Sequence, residues 1–205
     1  AYNMNNSLLF QHKFEKIGRS ISFNLDSRLN NTDRKNYFED FNADSVTQYL
    51  TNENNNTLAS TITYSEPVGN NGQLSASYRL SYNNRDSDKE TYIVNSETQD
   101  KVFNSELSNT FNSGYTTHLP TIMLSNRSFG KFYNIGVSYQ HATLNNEQIF
   151  PEMGNYHKSF NSILPTAMGR IELKGGANMF LRYATSTNEP SVSQLQNVID
   201  NSNPL

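Results

Sequence analysis

The chain has 205 residues, 35% of them hydrophobic and only 17% charged, with a net charge of −3, pI near 5.8 and no cysteine. The missing cysteine excludes a disulfide framework, a thiolate metal site and a cysteine nucleophile, and the absence of any Lys/Arg run removes nucleic acid as a partner. No window approaches the ~18 consecutive apolar residues of a membrane helix, and the opening run AYNMNNSLLF has neither the basic flank nor the apolar centre of a signal peptide.

Charged residues fall below the ~25% of an ordinary soluble domain, and uncharged polar residues fill the deficit, led by 31 asparagines. Taken in order, Leu8, Phe10 and Phe14 mark a first strand ending at the turn Glu15-Lys16-Ile17-Gly18, and Ile21, Phe23, Leu25 and Leu29 mark a second. Alternation then lapses over 30–56, which predicts a long loop with a short helical turn near 44–50. A third strand, about 57–66, carries Leu58, Ile62 and Tyr64. After Pro67, Gly69, Asn70, Asn71 and Gly72, which suit a reversal, Leu74, Ala76, Tyr78, Leu80 and Tyr82 alternate with Ser75, Ser77, Arg79 and Ser81. That period of two writes a strand with one oily face.

Residues 83–105 predict a second long loop, extended into a β-ribbon by 92–94. A fifth, irregular strand lies within 106–125 and ends at a short turn, 125–131. The sixth carries Tyr133, Ile135, Val137 and Tyr139, and 145–159 is a third long loop. The seventh runs from Phe160 to Leu173, 174–177 is the fourth short turn, and the eighth carries Met179, Leu181 and Tyr183. Connections therefore alternate short and long throughout. This is the pattern of an antiparallel up-and-down transmembrane β-barrel, short turns on one side of the membrane and long loops on the other. Lipid would cover the apolar stripe, and closure would satisfy every backbone donor and acceptor.

Three runs carry a resemblance: YSEPVGNNGQLSASYRLSYN at 64–83, FNSILPTAMGRIEL at 160–173 and LRYATSTNEPSVSQLQNVIDNSNPL at 181–205. Together they resemble the outer-membrane β-barrel region of TonB-dependent receptors. The resemblance implies that 1–205 is one partial barrel domain, about eight strands of a barrel of about 22, in the outer membrane of a Gram-negative cell. It further implies nutrient uptake, with lipid, an unknown nutrient ligand, the protein's own plug domain and the TonB complex as partners. Two alternatives stay open: an outer-membrane barrel for adhesion or surface scaffolding, and a small self-closed eight-stranded barrel.

No nucleophile elbow, phosphate-binding loop or dinucleotide fingerprint is present, so no enzyme activity, catalytic residue or cofactor is expected. His12, His118, His141 and His157 lack metal-ligand spacing, and 84–90 lacks the glycine of a Ca²⁺ loop; no metal is assigned. Alternation puts Arg28, Arg79, Arg170 and Arg182 on the polar face as lumen-lining residues, expected to pair with carboxylates such as Asp26 and Glu172 or to contact the plug. Tyr37, Phe38, Phe41, Tyr49, Tyr92, Phe103, Phe150 and Tyr156 fall in the predicted long loops. Exposed there, some would grip a substrate while others pack the loops together. Tyr64, Tyr78, Tyr82, Tyr133, Tyr139 and Tyr183 on the oily face suit interfacial girdles.

Overall fold

The computed structural model describes residues 1–40, 45–151, 153–173 and 175–188, the side chains of 39 and 40 excepted. Among the described residues nine strands form one antiparallel sheet: β1 (Tyr2–Lys13), β2 (Ser20–Asp40), β3 (Ser45–Val68), β4 (Gly72–Asn95), β5 (Lys101–Phe103), β6 (Asn109–Ser128), β7 (Lys131–Phe150), β8 (Gly154–Glu172) and β9 (Asn178–Ala184). Sequence neighbours pair throughout, in the order β1-β2-β3-β4-β6-β7-β8-β9, with β5 a small flap on the end of β4. Among the described residues β1 pairs with β2 alone and β9 with β8 alone, so the sheet does not close on itself. The self-closed eight-stranded alternative is thereby corrected.

Register confirms one continuous apolar face. Leu8, Phe10, Phe23, Leu25, Ile62, Tyr64, Tyr78, Leu80, Ile122, Leu124, Ile135, Val137, Ile163, Leu181 and Tyr183 all belong to it, because directly paired residues share a face. The band they form is slanted. From Leu25, mid-band on β2, the register row runs through Ser60, Leu80, His118 and His141 to Asn161, whereas the middle of the band on β8 is Ala167. Six residues of displacement over five interstrand steps is ~20 Å along the strands against ~24 Å across them. The strands therefore cross the band at about 40°, the tilt of outer-membrane barrels. A flat apolar layer demands that drift; the core of a soluble sandwich does not.

The three predicted long loops are corrected. β3 and β4 each run 24 residues, ~80 Å along the strand, where ~9–11 residues suffice to span a bilayer. Most of the predicted loops are thus strand continuing beyond the band, and 45–50, predicted to be helical, is the start of β3. Alternation lapses there because both faces become polar. The ladder persists, reinforced across the apolar-face side by Asn31 Nδ2 to Asn54 Oδ1 (2.8 Å), Asn52 Nδ2 to Asp33 Oδ1 (2.6 Å), Thr110 Oγ1 to Asp88 Oδ1 (2.7 Å) and Asn112 to Asp86. At the other end the turns are tight: Phe129-Gly130 alone connects β6 and β7, with Gly130 at φ +66° where a side chain would be strained. The irregular fifth strand is β6. Its ladder to β7 skips Leu119 and Pro120, since proline has no N–H to donate.

A candidate polar face and strand ribbon

Opposite the apolar band lies a face of Ser, Thr, Asn and Arg that holds most of the buried side chains of the described strands, among them Ala59, Phe111, Ala142 and Leu144. Arg28, Arg79, Arg170 and Arg182 all belong to it, as alternation predicts: each pairs across the ladder with a residue of that face, Asn5, Thr61, Phe132 and Met168 respectively. Arg28 and Arg79 line one groove of about 390 Å³ with Asn5, Ser7, Asp26 and Thr57. Arg170 lines another of about 420 Å³ near the short turns, with Arg127, Phe132 and Glu172.

The expected ion pairs do not form. Arg28 donates through Nε to Asn5 Oδ1 at 2.9 Å and Arg170 to Asn178 Oδ1 at 3.1 Å. Asp26 instead accepts from Ser7 Oγ (2.8 Å) and Asn24 Nδ2 (2.6 Å). Among the described residues no carboxylate lies within ion-pair distance of any of the four arginines, so their charge remains available on this face. Buried side-chain oxygens of Asn55, Asn109, Asn134 and Asn146 also lack a partner within the protein, and all four sit on this same face. Unpaired buried acceptors are costly against hydrocarbon or protein and ordinary against water or a polar solute.

The predicted loop aromatics within the described residues lie on strands rather than loops, and they divide by face. Tyr92, Phe103 and Phe150 come together at the far end of the apolar-face side, ring centroids 5.6 Å and 5.9 Å apart, and Tyr92 donates its hydroxyl to Glu90 Oε2 at 2.9 Å. That hydrogen bond to a carboxylate pushes the Tyr92 phenol pKa up. Tyr37 stands apart from them beneath Lys35 Nζ, 5.3 Å from its ring. Phe38, Tyr49 and Tyr156 occupy the polar-face side instead, Tyr49 under Lys89 Nζ at 5.0 Å and with its phenol pKa raised by burial. Phe41 lies outside the described residues.

Two groupings escaped sequence reasoning. Lys16 Nζ (2.5 Å) and Arg19 Nε (2.7 Å) converge on Glu66, which also accepts from Tyr64 Oη at 2.8 Å, fixing the short-turn end of β3 beyond the apolar band. His118 and His141 become ring neighbours at 6.2 Å at the upper edge of the band, with Tyr78 Oη 2.6 Å from His118 Nδ1. Register alone brings these histidines together, and no spacing in the sequence could signal it.

The slanted band, the polar opposite face and the strictly sequential pairing define the architecture, and the comparisons agree with it. The profile of the outer membrane protein beta-barrel family matches residues 12–205. The chain belongs to this family. It is accordingly a protein of the outer membrane. No curated protein matches the chain. Among solved structures, the crystal structure of the ferric citrate transporter FecA in the unliganded form is similar, with a TM-score of 0.61 and 13% sequence identity over 87% of this chain and 26% of that chain. At that identity the likeness is one of fold. This barrel segment spans about a quarter of the length of the structure it matches.

Proposed function

We propose that this segment is part of the wall of a TonB-dependent outer-membrane transporter for nutrient uptake, and that it has no enzymatic activity of its own. The observation that carries the reading is the pairing of an unclosed, band-forming sheet with strands that continue far beyond the band on one side only. On β4 the band begins at Leu74, two residues after the strand starts, and ends at Tyr82, with thirteen residues of strand still to come. Such ribbons enlarge the mouth of a barrel on its extracellular side. The free edges of β1 and β9 call for further strands, since unsatisfied backbone groups are not tolerated in hydrocarbon, and a barrel that wide needs a plug to remain gated. In this reading the apolar face meets lipid, the polar face lines the lumen, and Phe38, Tyr49 and Tyr156 stand where solute enters.

The test uses the full-length protein in its own cell. Deleting the gene should leave in the spent medium at least one solute too large for porins that the parent strain removes, and dissipating the proton gradient in the parent should reproduce the deletion. Unchanged depletion of the medium together with lost attachment to surfaces would replace transport by adhesion.

A further inference from the structure

The net charge of −3 conceals a segregation that register makes visible. On the polar face, Lys13, Arg127 and Arg170 stand toward the short turns and Arg28, Arg79 and Arg182 at mid-height. Beyond the band the same face continues with Arg34, Arg85, Lys89 and Lys158. Against these ten basic side chains it carries three carboxylates among the strand residues whose side chains are described, Asp26, Glu53 and Glu172, and one ion pair, Arg34 to Glu53 at 3.7 Å. The outward face of the ribbons has the reverse bias: Asp33, Asp86, Asp88, Glu90 and Glu147 against Lys35 and Lys101. Acid outside and base inside cancel in the composition. They do not cancel in space.

An array of like charges on one wall raises its own electrostatic energy, a cost offset when anions come to it, and a walled cavity focuses the field further. Guanidinium groups favour partners that accept two parallel hydrogen bonds, such as carboxylate and sulfate. The asparagine amides and serine hydroxyls interleaved with them suit the hydroxyls of a carbohydrate or the amides of a peptide. We propose that the solute handled by this barrel is polyanionic, bearing several carboxylate or sulfate groups, and that the basic face is its track from ribbon to short-turn end. The proposal rests on the transporter reading.

Calorimetry on the full-length protein in neutral detergent tests it with three probes: a hexaglutamate peptide, a chondroitin sulfate hexasaccharide and neutral maltohexaose. At least one anion should bind, more weakly as salt rises, and maltohexaose should not. The doubly substituted Arg28→Gln/Arg79→Gln protein should bind that anion about tenfold more weakly, the loss expected from one or two charge-assisted hydrogen bonds, with its heat-modifiable gel mobility unchanged. Lys89→Gln/Lys158→Gln, on the ribbon outside the membrane, should show a loss of similar direction even if the first pair fails to fold. Binding of neither anion overturns the proposal. So does undiminished anion binding by both substituted proteins, which would assign the arginines to acidic segments elsewhere in the chain. Energy-coupled uptake of neutral solute without anion binding removes the polyanion and leaves the transporter; anion binding without energy-coupled depletion of the medium does the opposite.

Discussion

Leu80 and Ser81 are consecutive, yet the pleat sends them to opposite sides of β4, toward Ser60 and His118 on one face and toward Ala59 and Thr117 on the other. Leu80→Arg places a charge within the apolar band and should cost roughly 2–4 kcal/mol of folded barrel near the bilayer midplane. Ser81→Arg adds one more cation to a wet face and should be close to neutral. Urea titration of the full-length protein in vesicles separates them, and equal midpoints would contradict a lipid-facing Leu80. Glu66 offers a second test through pH. Its hydrogen bonds from Arg19, Lys16 and Tyr64 hold its pKa well below the usual carboxylate range, so its contribution is complete above the unfolded value of about 4.3 and fades as pH falls toward the folded value. Glu66→Gln should therefore lower Tm at neutral pH, with the gap to the parent narrowing below about pH 4. A gap that stays constant into acid would mean the carboxylate's charge is irrelevant. The face of each arginine was legible in the sequence, because parity alone decides it. Its partners were not, since Asn5 reaches Arg28 only through the β1–β2 register.

At the scale of the element, legibility followed the solvent. Where one face meets hydrocarbon, as in Leu74–Tyr82 or Tyr133–Tyr139, apolar and polar residues must alternate and the strand announces itself. Where both faces meet water, as in Asn83–Asn95 or Asn31–Asp40, nothing in the pattern distinguishes a ribbon from a loop, and the ladder is carried by backbone and Asn/Asp pairs. Turns were legible through glycine, but not which glycine is indispensable. At Gly72 an added Cβ would lie 2.4 Å from the Val68 carbonyl oxygen, whereas at Gly154 it would meet nothing within 4 Å. Gly72→Ala should cost roughly 1–3 kcal/mol through the forced shift of the β3–β4 hairpin, and Gly154→Ala should be near neutral. The folded fraction by heat-modifiable mobility reads both; comparable yields would mean the turn relaxes freely.

For the whole molecule the deciding feature is the pair of edges, β1 and β9, left open among the described residues. β1 exposes nearly every residue along its length, including Leu8, Leu9 and Phe10 at 62–66%, and β9 does the same with Phe180 and Leu181. A strand with one side unpaired and one face oily is stable neither in water, where it recruits other edges, nor in lipid, where its free N–H and C=O groups go unanswered. The ~40° drift of the band matches the strand tilt of closed outer-membrane barrels, and in the proposed reading the remaining wall comes from strands that pair with these two. Hydrogen exchange tests this directly. In the full-length protein in detergent, amides of β1 and β9 should be protected to the same degree as those of β3 and β4, while residues 1–205 refolded alone should exchange at both edges within minutes and retain protection in the centre of the sheet at most. Protection of both edges in the isolated chain would mean that β1 and β9 find each other, and the wall of a wider barrel would give way to a small barrel complete in itself.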